Sequence, residues 1–513
     1  MLANVLSYGL LGLEGYPVTI EVDASGGGMP YFEIVGLPDA AVKESKERVR
    51  AALRNSGFAF PDGRVTINMA PADVRKEGPI YDLPIAMALL AVSGRVGADS
   101  LKGMMLLGEL SLDGQVRGIR GALPMVLAAR QNNVRRAALP AANAGELSCV
   151  EGIDTFTVAN LREFVTALNT GKLHPLPVRS WRDAEDALLD DIDDIGRIKG
   201  QYGAKRALEV AAAGGHNLLM VGSPGSGKSM LARTLPSILP DLTFDEALEV
   251  TKIYSISAEL GEGRALVHRR PVRTPHHTAT TVSLSGGGTP VRPGDISLAH
   301  NGVLFMDELP EFARNTLEVL RQPLEDGRIT VARAAGSFAF PARFMLVAAM
   351  NPCPCGYYGS RVRECRCGEN AIRNYLGRIS GPMLDRMDIQ VEVGAVEYSQ
   401  LTDRTRGEGS SAVRERVQQA RGLQAERFDG SSTRTNAHMN AAQLEQHCAL
   451  DEASHALMRK AFDAAGLSAR AYTRILKVAR TIADLDGSPG IQEKHLVEAV
   501  QYRVLDKKYW GNK

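Results

Sequence analysis

The chain reads as an α/β core on buried parallel strands, preceded by an α+β domain and followed by a helical lid, and three observations predict that order. The first is length: 513 residues exceed what one hydrophobic core usually holds and predict about three domains. The second is a compositional break at residues 171–195, where LHPLPVRSW runs into Asp183, Glu185, Asp186, Asp190, Asp191, Asp193 and Asp194, an acidic linker. The third is the pattern of apolar runs on either side of that break.

Residues 1–170 mix short alternating runs, VTIEV and RVTINMA, with helical stretches at Ala40–Ser56 and Leu83–Val92. Apolar spacings of period two and of period 3.6 within one segment predict an α+β domain. Residues 196–394 carry continuous apolar runs, HNLLMVG, GVLFMDE and FMLVAAMNP, separated by helical stretches. Strands covered on both faces by crossover helices have this look, so a parallel sheet is predicted. Residues 395–513 turn helical: Val413, Val417 and Ala420 keep helical spacing, as do Leu457–Ala465 and Tyr472–Leu485.

Charge excludes a polycation. Sixty basic and 59 acidic residues leave a formal net charge of +1, so a polyanionic partner has to meet local basic clusters. The opening MLANVLSYGLLGLEGYPV has no basic segment before its apolar run, and no stretch reaches the roughly 18 apolar residues of a membrane helix. A cytoplasmic protein without a membrane partner is expected. Of six cysteines, Cys353, Cys355, Cys365 and Cys367 are clustered and Cys149 and Cys448 stand apart. In a reducing compartment such clustering points to metal rather than disulfides.

The strongest motif is Gly222-Ser223-Pro224-Gly225-Ser226-Gly227-Lys228-Ser229, a complete G-x-x-x-x-G-K-S between an apolar strand and a helix. Its glycines let backbone N–H groups face a β-phosphate, Lys228 reaches the β- and γ-phosphates, and the Ser229 hydroxyl takes a Mg²⁺ position, which predicts ATP and Mg²⁺ as cofactors. The run Gly302-Val-Leu-Phe-Met-Asp307-Glu308 delivers two carboxylates to the carboxyl edge of the sheet. Asp307 is expected to hold Mg²⁺ and Glu308 to polarise the attacking water. A third strand, Phe344–Met350, ends at Asn351, a neutral donor suited to the γ-phosphate or its water; a lone Asn there would otherwise be a turn residue.

These residues resemble the magnesium-chelatase-like AAA+ ATPases and, within them, the ComM/YifB group. The resemblance spans nearly the whole chain. It rests on Ile198-Lys-Gly-Gln201, AKRALEVAAAGGHN, RTPHHTAT, RPGDISLAHNGVLFMDELPEF, NPCPCGYYG and GPMLDRMDIQVEV. It implies that Arg386 is an arginine finger reaching a neighbouring subunit's γ-phosphate, and that Arg470 is the sensor arginine of the lid, with Arg474 as its rival. Read from the residues alone, the alternative is that Arg386 beside Asp385 and Asp388 forms a surface ion pair. A finger in trans implies a ring, a homo-hexamer, because the finger supplies much of the rate.

The cysteines are spaced C-x-C, nine residues, C-x-C, within a segment carrying Arg361, Arg363, Arg366 and Arg373. Four thiolates suit a closed, structural Zn²⁺ site, yet the spacing is tighter than the usual C-x₂₋₄-C, and four reduced loop cysteines are the alternative. Arg328–Phe338 reads as a β-hairpin with a basic shoulder, and Arg269, Arg270, Arg273 and Arg292 flank a Gly-rich insertion, Ser285–Gly288. In related rings such hairpins line the pore, where they would track a phosphate backbone without reading bases. The alternative is scattered solvated arginines. His276 and His277, adjacent on an expected strand, would point to opposite faces and favour hydrogen-bonding or pore-facing roles over metal ligation.

The N-terminal domain resembles the Lon-protease-like, ribosomal-S5-type fold through Lys76-Glu-Gly-Pro-Ile80-Tyr-Asp-Leu83 and Gly108-Glu-Leu-Ser-Leu-Asp-Gly114-Gln-Val116. Where Lon proteases carry their catalytic serine and lysine, this sequence has Ile80 and Leu123, neither a nucleophile nor a base. An inactive scaffold is expected. The resemblance as a whole implies a ring-shaped ATP-driven translocase or helicase. It would act on single-stranded or branched DNA without sequence preference, promoting branch migration of recombination intermediates in natural transformation. The alternative is a magnesium-chelatase-like motor that remodels a protein partner without DNA.

Overall fold

A computed structural model describes residues 2–25, 31–61, 63–181, 193–261, 264–289, 291–333, 336–360, 363–396, 398–402, 407–465 and 468–511. Asp183, Glu185, Asp186, Asp190 and Asp191 of the acidic linker, and Arg361, lie outside the described residues. The chain divides into two compact units, residues 1–186 with 243–268, and residues 187–242 with 269–513.

The first unit is built on a seven-stranded mixed sheet. Its strands are β1 (Leu2–Leu11), β2 (Glu14–Ser25), β3 (Tyr31–Val35), β4 (Arg64–Ala70), β5 (Met104–Leu106), β6 (Arg136–Pro140) and β7 (Asp154–Val158), in the order β3-β4-β2-β1-β5-β6-β7. The alternating runs VTIEV and RVTINMA fall in β2 and β4, which pair antiparallel with their even-spaced apolar residues buried. Helix α1 (Ala40–Asn55) starts at Asp39, whose carboxylate accepts from Val42 N at 2.7 Å and from Gly78 N at 3.0 Å. That bond ties the Lys76–Leu83 block to the helix. Helix α2 (Asp82–Val92) is buried almost all round, and its Asp82 is neutralised by Arg48 Nε at 2.7 Å. Ile80 packs on the apolar cluster that contains Leu123 of helix α3 (Ala122–Gln131). Residues 243–268 also belong to this unit, a feature invisible in the sequence: helix α4 (Phe244–Ser257) gives its Ser255 carbonyl to Gly121 N at 3.1 Å.

The second unit is a five-stranded sheet in which every recorded pairing is parallel. Strands β8 (Leu218–Gly222), β9 (Val272–Arg273), β12 (Val303–Met306), β15 (Met345–Met350) and β16 (Ile389–Val393) stand in the order β9-β12-β15-β8-β16, while β10 (Gly286–Gly287) pairs with β11 (Arg292–Pro293), and β13 (Arg328–Arg333) with β14 (Gly336–Pro341), as separate hairpins. The three apolar runs read from sequence are β8, β12 and β15, and every residue in them is buried. Beyond Val393 the described elements are helical, including Ser410–Arg427, Glu452–Ala465, Ala469–Leu485 and Glu493–Gln501. Val413, Val417, Ile475 and Ala479 share one core with Leu218, Met220 and Val347, so burial of these helical stripes holds the lid on the sheet. Asp194, last of the acidic run, caps Gly196 N at 2.7 Å and accepts from Ser410 N at 3.3 Å. No described helix is long and apolar enough to cross a membrane.

Candidate active site

The carboxyl edge of the sheet gathers the motif residues because β8, β12 and β15 are parallel neighbours that end together. From β8 the backbone turns through Gly225 and Gly227, at φ 75° and 91°, and Lys228 opens the helix Lys228–Ile238. Most side chains resist that left-handed turn, which leaves N–H groups and a helix N-terminus facing one point. Lys228 Nζ donates to Gly222 O at 2.9 Å, Ser223 O at 3.0 Å and Asn351 Oδ1 at 3.2 Å. Burial lowers its pKa, and the carboxylates of Asp307 and Glu308 oppose that shift. Asn351 is thereby brought to the same lysine from the end of β15, and Ser229 Oγ donates to Asp307 Oδ2 at 2.5 Å. A hydroxyl and a carboxylate side by side are the hard oxygen donors that Mg²⁺ takes, so the residues present fit the ion.

Glu308 follows β12 with its backbone in the left-handed region, φ 52°, which is uncommon for a residue with a side chain. Its N–H is held by Asp307 Oδ1 at 2.9 Å, and its carboxylate stands 3.4 Å from His277 Nδ1. His276 and His277 do not alternate across a strand. Strand β9 ends at Arg273, both histidines lie in the following loop, and their rings approach to 4.1 Å. His276 Nδ1 lies 2.8 Å from Thr278 Oγ1, a hydrogen bond consistent with the role expected for it. Gln201 had no role assigned from sequence. Its Nε2 donates to Ser226 O at 3.1 Å and Gly394 O at 2.7 Å, joining the phosphate-binding turn to the end of β16.

The arginines lie elsewhere. Arg386 is buried, donates to Pro382 O at 2.5 Å and ion-pairs with Glu325. Its carbonyl accepts from Asn217 Nδ2 at 2.9 Å, and Asn217 precedes β8. The five residues of β8, roughly 16 Å, therefore separate Arg386 from the phosphate-binding turn of its own chain. Arg470 and Arg474 gather at the same amino edge. Arg474 ion-pairs with buried Asp388, whereas Arg470, 72% exposed, sits 3.4 Å from Asp385 Oδ2. Burial opposes charge on Asp388, but Arg474 and His216 outweigh it and hold the carboxyl well below the usual range.

The four clustered cysteines converge. Cys353, Cys355 and Cys365 place their sulfurs 3.4 to 3.7 Å apart, and the sulfurs of all four lie within 4.8 Å of one another. Four thiolates at 2.3 Å from one Zn²⁺ require separations of about 3.8 Å, so the set fits a closed zinc site. Tyr358 N donates to Cys353 Sγ at 3.3 Å, the kind of backbone support that orients metal thiolates. Gly356, at φ 82° within the knuckle, packs on Pro224: a Cβ there would stand 2.4 Å from Pro224 Cδ.

The expected basic insertions are hairpins, β13 with β14 and β10 with β11. Their arginines divide. Arg328, Arg333 and Arg292 are exposed, but Arg270 is committed to the carbonyls of Pro240, Asp241 and Asn301, and Arg273 to Asp295 at 2.8 Å. Those two arginines hold the insertion's base together rather than stand ready for a phosphate backbone.

Comparison with known proteins places the sequence in a lineage. A family model for magnesium chelatase, subunit ChlI, matches residues 194–401, a second for subunit ChlI of Mg-chelatase matches 20–143, and a third for the ChlI C-terminal region matches 407–503. The chain is 45% identical over 509 residues to competence protein ComM of Haemophilus influenzae, covering 98% of both proteins. The chain belongs to the ComM/YifB family of magnesium-chelatase-like AAA+ ATPases. Another member, the uncharacterized protein YifB of Escherichia coli, is 43% identical over 97% of this chain and 96% of its own. The family's N-terminal domain is ChlI/Lon-like, and 122 residues of this chain are 29% identical to Lon protease 2 of Bacillus subtilis, covering 24% of this chain and 22% of that protein.

Proposed function

We propose that this ATPase works as a ring, most simply a homo-hexamer, that moves along single-stranded or branched DNA and drives branch migration of recombination intermediates, the activity that natural transformation requires. The observation that carries it is the separation of Arg386, Arg470 and Arg474 from Lys228 across the sheet. A chain whose charge-stabilising arginines sit on the far edge needs a neighbour to complete each site. Lys228 and the N–H groups of the turn would hold the β- and γ-phosphates, and Ser229 and Asp307 would hold a Mg²⁺ that would supply positive charge against the phosphate oxygens. Asn351 places the attacking water and Glu308 takes its proton as the bond to the leaving ADP breaks, while the partner subunit's Arg386 meets the γ-phosphate. Between Arg470 and Arg474, exposure favours Arg470 as the lid arginine offered outward.

DNA is favoured over a protein substrate by the exposed arginines of the two hairpins and by full-length likeness to a protein named for competence. A Zn²⁺ on Cys353, Cys355, Cys365 and Cys367 would be structural, because four protein thiolates leave no open position. The test is ATP hydrolysis with and without single-stranded and branched DNA, with Lys228→Ala as the blank. Stimulation of several-fold at moderate salt is expected. A DNA-indifferent rate together with no DNA binding in the ATP-bound state would overturn the DNA reading in favour of protein remodelling. Elemental analysis is expected to find about one zinc per chain.

A further inference from the structure

The first unit holds a cavity of about 240 Å³ that takes no part in the ATP chemistry. One wall is the loop of residues 118–120, between the short strand Val116–Arg117 and helix α3. A second is the turn after β6 that carries Asn143 and Glu146. The third is Ser255 near the end of helix α4 and the chain beyond it, where Ala258, at φ 65°, ends the helix and leads on to Arg264. Segment 243–268, which sequence alone would assign to the ATPase core, thus closes a cavity of the other unit.

The floor of this cavity is polar and short of partners. Asn143 is fully committed: Oδ1 accepts from Ile119 N at 3.0 Å, and Nδ2 donates to Ile119 O at 2.8 Å and to Glu146 Oε1 at 2.6 Å. Glu146 is thereby fixed by one oxygen. It is 4% exposed, and its Oε2 has no hydrogen-bond partner among the described residues. Ser255, 5% exposed, is close enough to temper the charge of that carboxyl, yet its Oγ also lacks a partner of good geometry among the described residues. Unpaired buried polar atoms are destabilising, so two of them at one cavity mark a place where the polar groups of a ligand fit. Burial raises the Glu146 pKa against the lowering by Ser255, Asn143 and the Leu123 backbone, which disposes the carboxyl to keep its proton and act as a donor. Arg120 and Arg264, both exposed, form the rim and are the only other charged groups lining the cavity among the described residues.

We propose that this cavity binds a small phosphate monoester, with Arg120 and Arg264 pairing with the dianionic phosphate, the Glu146 carboxyl and the Ser255 hydroxyl donating to its oxygens, and the organic body filling the remaining space. Two guanidinium groups balance a dianion, and four donors suit the three terminal oxygens of a phosphate better than the two of a carboxylate. The cavity is far larger than the ~10–15 Å³ that a water needs, so an organic body accompanies the phosphate. A ligand gripped by both arginines ties the end of α4 to the loop before α3. This site stands apart from the roles proposed above for ATP and DNA.

The experiment is calorimetric titration of the full-length protein with ribose 5-phosphate and with glycerol 3-phosphate, the phosphate-binding turn being kept filled with Mg²⁺ and ADP. At least one of the two is expected to bind once per chain, with a Kd at or below about 1 mM. Arg120→Ala and Arg264→Ala change exposed side chains that the fold does not need, and each is expected to weaken binding by about tenfold or more. Glu146→Gln keeps a donor, so its affinity is expected to match the wild type at about pH 6 and to exceed it increasingly toward about pH 8.5, where an ionised Glu146 repels the dianion. Bound ligand is also expected to slow amide hydrogen exchange at residues 255–261. No binding of either ester at about 10 mM, or binding that both arginine variants leave unchanged, would overturn the proposal. So would equal affinities of wild type and Glu146→Gln at every pH, because the buried carboxyl would then lie outside the site.

Discussion

Glu308 carries an unusual backbone directly after the strand that delivers Asp307. One carboxylate stays beside Ser229, and the other, on the residue at φ 52°, stands beside His277. Glu308→Gln keeps the shape and removes the base. Hydrolysis is expected to fall by about 10²–10⁴ while ATP affinity, measured by fluorescent-nucleotide titration, changes by less than threefold. The turn itself was legible from sequence because G-x-x-x-x-G-K-S names its own geometry. His277 was not, since its place beside Glu308 depends on which strand neighbours β12, and two histidines in series carry no such information.

At the scale of elements, the knuckle and the lid each brace one edge of the sheet. Gly356 presses on Pro224, so Gly356→Ala strains a left-handed turn and pushes the phosphate-binding turn at once. A cost of about 1–2 kcal/mol is expected, read as a roughly five- to thirtyfold loss of ATP affinity by calorimetry. On the other edge His216 is fully buried, with Nε2 2.8 Å from Thr481 Oγ1 of the lid and Nδ1 3.4 Å from Asp388 Oδ2. Burial lowers its pKa despite Asp388, so the folded protein holds it neutral below the pH at which an unfolded chain, near 6.5, takes up a proton. Its contribution is therefore complete above about pH 6.5 and lost as pH falls below that value toward the depressed folded pKa. Urea denaturation between pH 7.5 and 5 is expected to show stability falling on acidification, and His216→Gln to flatten that slope.

For the whole molecule, the proposed ring would make activity the property of a pair of chains. Arg386→Ala alone and Lys228→Ala alone are each expected to be nearly inactive, the first by about 10³–10⁵ as for other fingers. Mixed rings place some intact Lys228 sites against intact Arg386 partners. Mixing the two inactive proteins is therefore expected to recover a measurable fraction of wild-type hydrolysis, and no recovery at any ratio would exclude completion in trans.

Sequence by itself determined the parallel sheet, the phosphate-binding turn, the carboxylate pair and the cysteine cluster, because each is local: strand periodicity, glycine conformational freedom and ligand spacing are written within about a dozen residues. Tertiary structure alone decided which arginines are committed to carbonyls, that Arg386 lies across the sheet from Lys228, and that the knuckle rests on Pro224. It also decided that helix α4 joins the first unit rather than the second. These depend on strand order and on pairings between residues tens to hundreds of positions apart, where burial and ion pairing choose among arginines and histidines that look alike in the sequence.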